Sequence, residues 1–417
     1  MSKYPRCAFC PTTDYLIVVN EEKNQHICVE CLMSANKYAD NETSGYDSFK
    51  PESLPKPSII KSFLDRFVVG QEHAKRVLAV EVCNHHKRTH LLALGPAPEI
   101  SKANILLIGP TGTGKTLLAR TLAKFLNVPF AQADANTMTE AGYVGEDVES
   151  MLLRLYQAAG GDVARAEKGV IYLDEVDKIG KRDPSSTLSR DASHEGVQQG
   201  LLKILEGTVA NVPLKGGPKH PQGECVQMDT TNILFICGGA FVGLEKIIAK
   251  RLEGKAQMGF LSKPQEAEHT DAALLHKVDT ADLLRYGLIP EFIGRLPVIG
   301  VLDSLKKEDL VRVLTEPEDA LIRYYRTLCR AENVELNFTD GALDIIAEHA
   351  CRLNVGARGL RRVMEDFMRD FMFELPDCEL DRFVIDEEFV RGAIAGKPVC
   401  LKQKPKAARA LLPSKTG

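Results

Sequence analysis

The sequence lacks a long hydrophobic run, a secretory leader pattern and an excess of either charge. No stretch approaches the roughly 18 consecutive apolar residues of a membrane-spanning helix, so none is expected. The first residues carry no apolar core of a signal peptide. Lys and Arg number 53 against 57 Asp and Glu, a net charge of −4. This balance gives no overall field that would attract nucleic acid.

Cysteine use divides into two classes. Of the 11 cysteines, four lie within the first 31 residues and the others are scattered along the chain. Scattered thiols without a leader are typical of reduced proteins, because disulfides persist mainly in oxidising compartments. The sequence therefore predicts a cytoplasmic protein.

A phosphate-binding loop is the strongest motif. It fits the pattern G-x-x-x-x-G-K-[ST], follows the apolar stretch 104–108 and precedes a helical pattern over 117–126. This strand–loop–helix context predicts that backbone N–H groups surround the phosphates of ATP, that Lys115 reaches the terminal phosphates and that Thr116 holds Mg²⁺. The predicted cofactor-binding residues of the loop are Gly109, Pro110, Thr111, Gly112, Thr113, Gly114, Lys115 and Thr116.

A pair of carboxylates follows a second apolar strand, residues 170–173. We predict that Asp174 binds Mg²⁺ through water and that Glu175 is the catalytic base that polarises the attacking water. Phosphoryl transfer also needs positive charge at the transition state. Arg295 and Arg358 are the candidates, although by pattern alone each also fits an ordinary surface or helix-cap arginine.

Helical and strand patterns alternate up to about residue 302, which is typical of an α/β domain with a parallel sheet. Helical patterns then dominate over 305–330, 340–353 and 358–374, with one short strand at 383–385. The predicted divisions are a zinc-binding module (1–38), a flexible linker (39–58), a large α/β domain (59–303), a small helical domain (304–396) and a disordered tail (397–417).

The clustered cysteines form two C-x-x-C pairs separated by 17 residues. This spacing is typical of a tetrahedral Zn²⁺ site, and the metal would stabilise a module too small to fold on its core alone. Disulfides or unliganded thiols are the alternatives. The predicted ligands are Cys7, Cys10, Cys28 and Cys31.

Taken together, these motifs resemble the ClpX family, hexameric AAA+ unfoldases that deliver substrates to the ClpP peptidase. The resemblance covers nearly the whole chain apart from the linker, the loop after residue 254 and the tail. The segments that carry it are 7–31, 67–71, 109–116, 140–149, 172–178, 195–199, 287–297 and 356–360. It implies an AAA+ P-loop large domain, an α-helical small domain and an N-terminal zinc ribbon-like module.

The resemblance also implies roles for single residues. Arg295 matches an arginine supplied to a neighbouring subunit, and Arg358 matches the sensor-2 arginine of the helical domain. The other matched positions are the adenine pocket (Val68, Val69), the substrate pore loop (Tyr143, Val144, Gly145) and the peptidase-docking loop (Met258, Gly259, Phe260). The implied partners are five further copies in a homohexamer, ClpP, unfolded or tagged protein substrates and adaptor proteins.

Three positions depart from the family pattern. Pro218 replaces the arginine of an Arg-Lys-His pore-entrance triplet, Met258 replaces a branched apolar docking residue, and no polar sensor-1 side chain follows the strand at 233–236. The expected function is ATP-dependent unfolding and translocation of polypeptides for ClpP, by an ATP hydrolase that is not itself a peptidase. Two alternatives remain at this point, a remodeller without a peptidase and a DNA-associated AAA+ ATPase.

Overall fold

A computed structural model describes most of the chain. The described residues are 16–20, 25–28, 31, 55–93, 102–139, 146–180, 188–214, 225–256, 271–353, 355–378 and 380–397. They belong to two compact units, residues 1–55 with 86–100 and residues 56–85 with 101–417.

The first unit contains a short antiparallel strand pair. Strand β1 (Leu16–Asn20) pairs with β2 (Gln25–Cys28), with Leu16 opposite Cys28. Cys28 is buried, and its Sγ accepts a hydrogen bond from the backbone N–H of Cys31 at 3.4 Å. One predicted ligand pair is thus placed at the end of the hairpin, while Cys7 and Cys10 lie outside the described residues.

The second unit contains the remaining strands and nearly all of the helices. Its strands are β3 (Ile105–Ile108), β4 (Phe130–Asp134), β5 (Val170–Asp174), β6 (Val209–Pro213), β7 (Cys225–Asp229), β8 (Leu234–Gly239), β9 (Val298–Val301), β10 (Glu335–Phe338) and β11 (Arg382–Ile385). The helices, of which α2 runs on into the first unit, are α1 (Pro57–Asp65), α2 (Glu72–Ala93), α3 (Lys115–Leu126), α4 (Ser150–Ala158), α5 (Val163–Ala166), α6 (Leu188–Glu206), α7 (Leu244–Ala256), α8 (Asp271–Leu275), α9 (Thr280–Tyr286), α10 (Pro290–Gly294), α11 (Lys307–Thr315), α12 (Leu321–Ala331), α13 (Asp340–Arg352), α14 (Ala357–Glu374) and α15 (Glu387–Ile394).

Five parallel strands form the central sheet in the order β4-β5-β8-β3-β9. All four residues of β3 are buried, as expected for a strand covered by helices on both faces. Alternate residues enter opposite cores: Leu106 and Ile108 belong to one cluster, Ile105 and Leu107 to the other. The predicted α/β fold with a parallel sheet is confirmed.

Residues after 304 build a separate helical core. Helices α11 to α15 surround a cluster that includes Ile346, Met364 and Phe371. The predicted helix over 305–330 is wrong in one respect: it is two helices, α11 and α12, with Pro317 between them. Proline cannot continue a helix interior, because it lacks the N–H donor. The α-helical small domain itself is confirmed.

One strand of the small domain was not predicted. Strand β10 pairs in parallel with β11, which is the short strand expected at 383–385. Separately, no helix within the described part of the chain is long and apolar enough to cross a membrane.

Candidate nucleotide-binding site

The phosphate loop lies between β3 and α3, where the sequence predicts it. Gly112 has φ +79°, and a Cβ there would lie 2.1 Å from the backbone oxygen of Val355. The Gly112 oxygen also accepts a hydrogen bond from the Ala357 N–H at 3.0 Å. Only glycine fits this left-handed position and this close approach. The loop therefore contacts the first turn of α14 in the small domain directly.

Lys115 is buried at the start of α3. Its Nζ donates to the backbone oxygens of Gly109 and Pro110, the latter at 2.9 Å. Burial lowers the pKa of Lys115 to about 8, against the opposing effect of the Asp174 and Asp177 carboxylates. The ammonium thus lies within the curve of the loop, where a phosphate group would offer it a stronger acceptor than a carbonyl.

Asp174 ends β5 beside the loop. Its Oδ2 accepts a hydrogen bond from the Thr116 hydroxyl at 3.4 Å, and its Oδ1 accepts from the Tyr172 hydroxyl at 3.1 Å. A threonine hydroxyl beside a carboxylate is an oxygen donor set suited to Mg²⁺, which prefers hard oxygen ligands. Thr116 and Asp174, the two residues predicted to bind Mg²⁺, therefore lie next to each other.

Glu175 has an unusual backbone conformation for a non-glycine residue, with φ +56°. Its Val176 neighbour donates to the Gly238 oxygen at 3.0 Å, which holds the turn against β8. Burial raises the pKa of Glu175, and the carboxylates of Asp134 and Asp174 raise it further. A raised carboxylate pKa makes a better proton acceptor, and left-handed strain of this kind is concentrated at functional sites.

A cavity of about 580 Å³ lies between the loop and the small domain. It contains eight of the predicted residues and several others. Its lining residues are Thr111, Gly112, Gly114, Lys115, Thr116, Leu117, Arg120, Asp174, Glu175, Asp177, Lys178, Ala240, Val242, Ala357, Arg358 and Arg361. A volume of this size accommodates a nucleotide-sized ligand.

The other predicted residues lie beside the cavity or away from it. Val68 and Val69 are buried, and Val68 Cγ1 would lie 3.8 Å from a Cβ at Gly114. Arg358 of α14 lines the cavity. Arg295 does not belong to the described lining, because its backbone oxygen is bound to Asn104 at the opposite end of β3.

Sequence reasoning missed several side chains of this site. Arg120 lies one helical turn after Thr116, and Arg361 lies one turn after Arg358. Residues three or four apart share a face of a helix, so this spacing could have predicted both arginines. Asp177 is buried, and its Oδ1 accepts from the Ala240 N–H at 3.2 Å. After β8 the described lining includes Ala240 and Val242, both apolar.

Three predicted loops cannot be placed. The pore loop at Tyr143, the triplet at Pro218 and the docking loop at Met258 all lie outside the described residues. The flanking strands of the second are described, since β6 and β7 pair antiparallel on either side of it.

A parallel sheet with β8 between β3 and β5, a phosphate loop and a helical domain beside it define an AAA+ ATPase. Residues 100–299 match the family described as AAA domain (Cdc48 subfamily), and residues 305–377 match the C-terminal, D2-small domain of ClpB protein. The protein is thus an ATP hydrolase that uses ATP and Mg²⁺.

Comparison with curated proteins narrows the class to one family. The chain is 49% identical over 387 residues to the ATP-dependent Clp protease ATP-binding subunit ClpX of Borrelia duttonii (strain Ly) and, equally, to that of Borrelia recurrentis (strain A1). Each alignment covers 92% of this chain and 90% of the relative. The chain belongs to the ClpX family.

We expect the affinity for ATP to fall as the pH rises above about 8, the pKa of Lys115 in the empty site. Bound phosphates favour the charged ammonium and raise this pKa, so binding takes up a proton between about 8 and the raised value. Below this window Lys115 is charged in both states and contributes no pH dependence. Calorimetric titration in two buffers of different ionisation enthalpy measures the uptake.

A Lys115→Arg variant is the matched control. Its guanidinium stays charged throughout this range, so nucleotide binding should cause no proton uptake at this position. Equal heats in the two buffers for the unsubstituted protein above pH 8 would contradict the assignment.

Proposed function

We propose that the chain forms a homohexameric ring that unfolds proteins with the energy of ATP and threads them to the ClpP peptidase. The proposed partnership with a peptidase rests on the names of the relatives. The proposed use of energy from ATP rests on the nucleotide site. Lys115 holds the terminal phosphates, Thr116 and Asp174 hold Mg²⁺, and Glu175 is the catalytic base. Arg358 reports the γ-phosphate to the small domain, and Val68 and Val69 line the adenine pocket.

The main support for the proposed ring is the position of Arg295. Its backbone oxygen accepts from Asn104, which immediately precedes β3, while the phosphate loop follows the carboxyl end of that strand. Four residues of strand at about 3.3 Å each separate the two ends by about 13 Å. Arg295 therefore lies at the far end of β3 from its own site, and it serves a site only if a neighbouring subunit presents one. Repetition of such a head-to-tail contact generates a ring when the rotation between neighbours closes, and six copies are the number proposed here.

Tyr143, Val144 and Gly145 are the proposed grip on the polypeptide, since a bulky apolar pair on a loop packs on an extended chain of any sequence. Met258, Gly259 and Phe260 are the proposed docking segment for ClpP. Methionine is flexible and apolar, so it can replace a branched residue in an apolar cleft. We place the ring in the cytoplasm, where its scattered cysteines stay reduced. Adaptor proteins are candidate partners of the zinc module.

ATP-driven degradation of a stably folded reporter tests this function. The reporter carries a long unstructured carboxyl-terminal tail, so that weak recognition of a short tag at Pro218 does not mask the motor. We expect loss of the reporter only when this protein, ATP and ClpP are all present. The Tyr143→Ala variant should hydrolyse ATP at a similar rate and unfold the reporter more slowly.

Each alternative has its own outcome in this assay. Unfolding that ClpP never converts into degradation would favour a remodeller without a peptidase. ATPase activity stimulated by DNA and not by unfolded protein would favour a DNA-associated enzyme, which the net charge of −4 and the family relationship both disfavour. Unaltered unfolding by Tyr143→Ala would remove that residue from the pore.

We also propose one structural Zn²⁺ ion held by Cys7, Cys10, Cys28 and Cys31. The hydrogen bond from the Cys31 N–H to Cys28 Sγ supports this, because backbone donors stabilise the thiolates that ligate zinc. Elemental analysis of the full-length protein should find one zinc per chain, and Cys28→Ser should lower that content. Cys225→Ser, at an exposed cysteine outside the module, should retain the metal. A metal-free native preparation with full activity would contradict the site.

A further inference from the structure

Arg295 has a charged partner within its own subunit. Its Nη2 lies 2.5 Å from Oε1 of Glu206, and both side chains are about half exposed. Glu206 is the last residue of α6. The carboxyl end of a helix carries a partial negative charge, so a glutamate there is not explained by helix stability.

A buried amide fixes the backbone on which both side chains stand. Asn104 is 1% exposed, and its Nδ2 donates to the backbone oxygens of Leu205 at 3.2 Å and Arg295 at 2.9 Å. An asparagine side chain has two N–H donors, and both are used. The end of α6 and the residue after α10 are thereby held at a set separation at the start of β3.

We propose that Glu206 is a positioning residue for Arg295, which it orients toward the nucleotide site of the neighbouring subunit. The inference rests on the proposed role of Arg295 between subunits. The contact uses one N–H of a guanidinium that has five, so donors remain for a phosphate. An unrestrained arginine must lose much rotamer freedom on binding, and Glu206 removes part of that freedom in advance.

The test is a double-mutant cycle on steady-state ATP hydrolysis by the assembled full-length protein. We expect Glu206→Ala to lower kcat about fivefold, which at about 1.4 kcal/mol per tenfold corresponds to about 1 kcal/mol, the upper range of an exposed ion pair. The KM for ATP should stay unchanged, because the cis site is intact. Glu206→Gln keeps an oxygen acceptor and should restore most of the rate. In an Arg295→Ala background, Glu206→Ala should have no further effect.

Glu316→Ala is the matched control, since Glu316 forms a comparably exposed pair with Arg312 at 2.8 Å at the end of α11. It should leave kcat unchanged. A faster Glu206→Ala enzyme would mean that Glu206 competes with phosphate for Arg295, and that result overturns the proposal. An unchanged rate, or the same fold-loss with Arg295 absent, overturns it too. Wild-type turnover by Arg295→Ala alone is a different failure, because it removes the role of Arg295 itself.

Discussion

Glu175→Gln is expected to lower the rate of ATP hydrolysis by about 10²–10⁴-fold, the usual contribution of a general base. The amide keeps the size of the side chain and cannot accept the proton of the attacking water. Lys115, Thr116 and Asp174 line the same cavity and are unchanged in this variant, so ATP binding and ring assembly should persist. Single-turnover hydrolysis, equilibrium nucleotide binding and light scattering measure the three properties separately.

The pH profile gives a second readout of the same group. Because the pKa of Glu175 is raised, the active ionised form is lost on acidification at a higher pH than for an ordinary glutamate. Glu253→Gln, at an exposed position of α7, serves as the control and should behave as the unsubstituted protein. Hydrolysis by Glu175→Gln at an undiminished rate would show that another group activates the water.

Arg295→Ala is expected to lower hydrolysis by about 10³–10⁵-fold, the range attributed to an arginine that stabilises the charge of the phosphoryl-transfer transition state. Nucleotide binding should change little, because Arg295 lies at the far end of β3 from its own site. The decisive measurement is complementation between two inactive variants. Rings of Arg295→Ala mixed with Glu175→Gln should regain activity.

The reason is that, in the proposed ring, each composite site takes its base from one subunit and its arginine from the next. With equal, random mixing, about a quarter of the contacts in a head-to-tail ring combine both intact groups. The matched control mixes Glu175→Gln with Lys115→Ala. Both variants lose a group of the same half of the site, so no contact combines all the intact groups and these rings should stay inactive. Co-assembled rings of Arg295→Ala and Glu175→Gln that stay inactive would show that Arg295 does not act across the subunit boundary.

The sequence predicted those parts of the site that depend on neighbouring residues. The phosphate loop and the pair Asp174-Glu175 are local patterns, and the strands that carry them were placed within one residue of their observed bounds. Strand β10 was missed because only one of its four residues is buried, which leaves no alternating pattern to detect. The break at Pro317 was detectable from the residue type and was overlooked.

Other features arise only from tertiary structure. Arg361 reaches the cavity because α14 packs against the phosphate loop, and no motif marks that residue. Lys115 bonds to carbonyls of its own loop, a geometry that the pattern G-K-T does not contain. Glu206 and Arg295 belong to distant segments that the buried amide of Asn104 holds together. Their pairing therefore follows from the tertiary structure and could not be predicted from local sequence.

The contact between Gly112 and Val355 sets a mechanical limit on the motor. No side chain separates the two backbones at this point, so here the large and small domains meet main chain to main chain. We therefore expect a shift of the phosphate loop on arrival or loss of a phosphate to displace the start of α14 directly. The coupling between the two domains would then depend on the main chain at Gly112 and Val355, and an alanine at Gly112 would push the two apart.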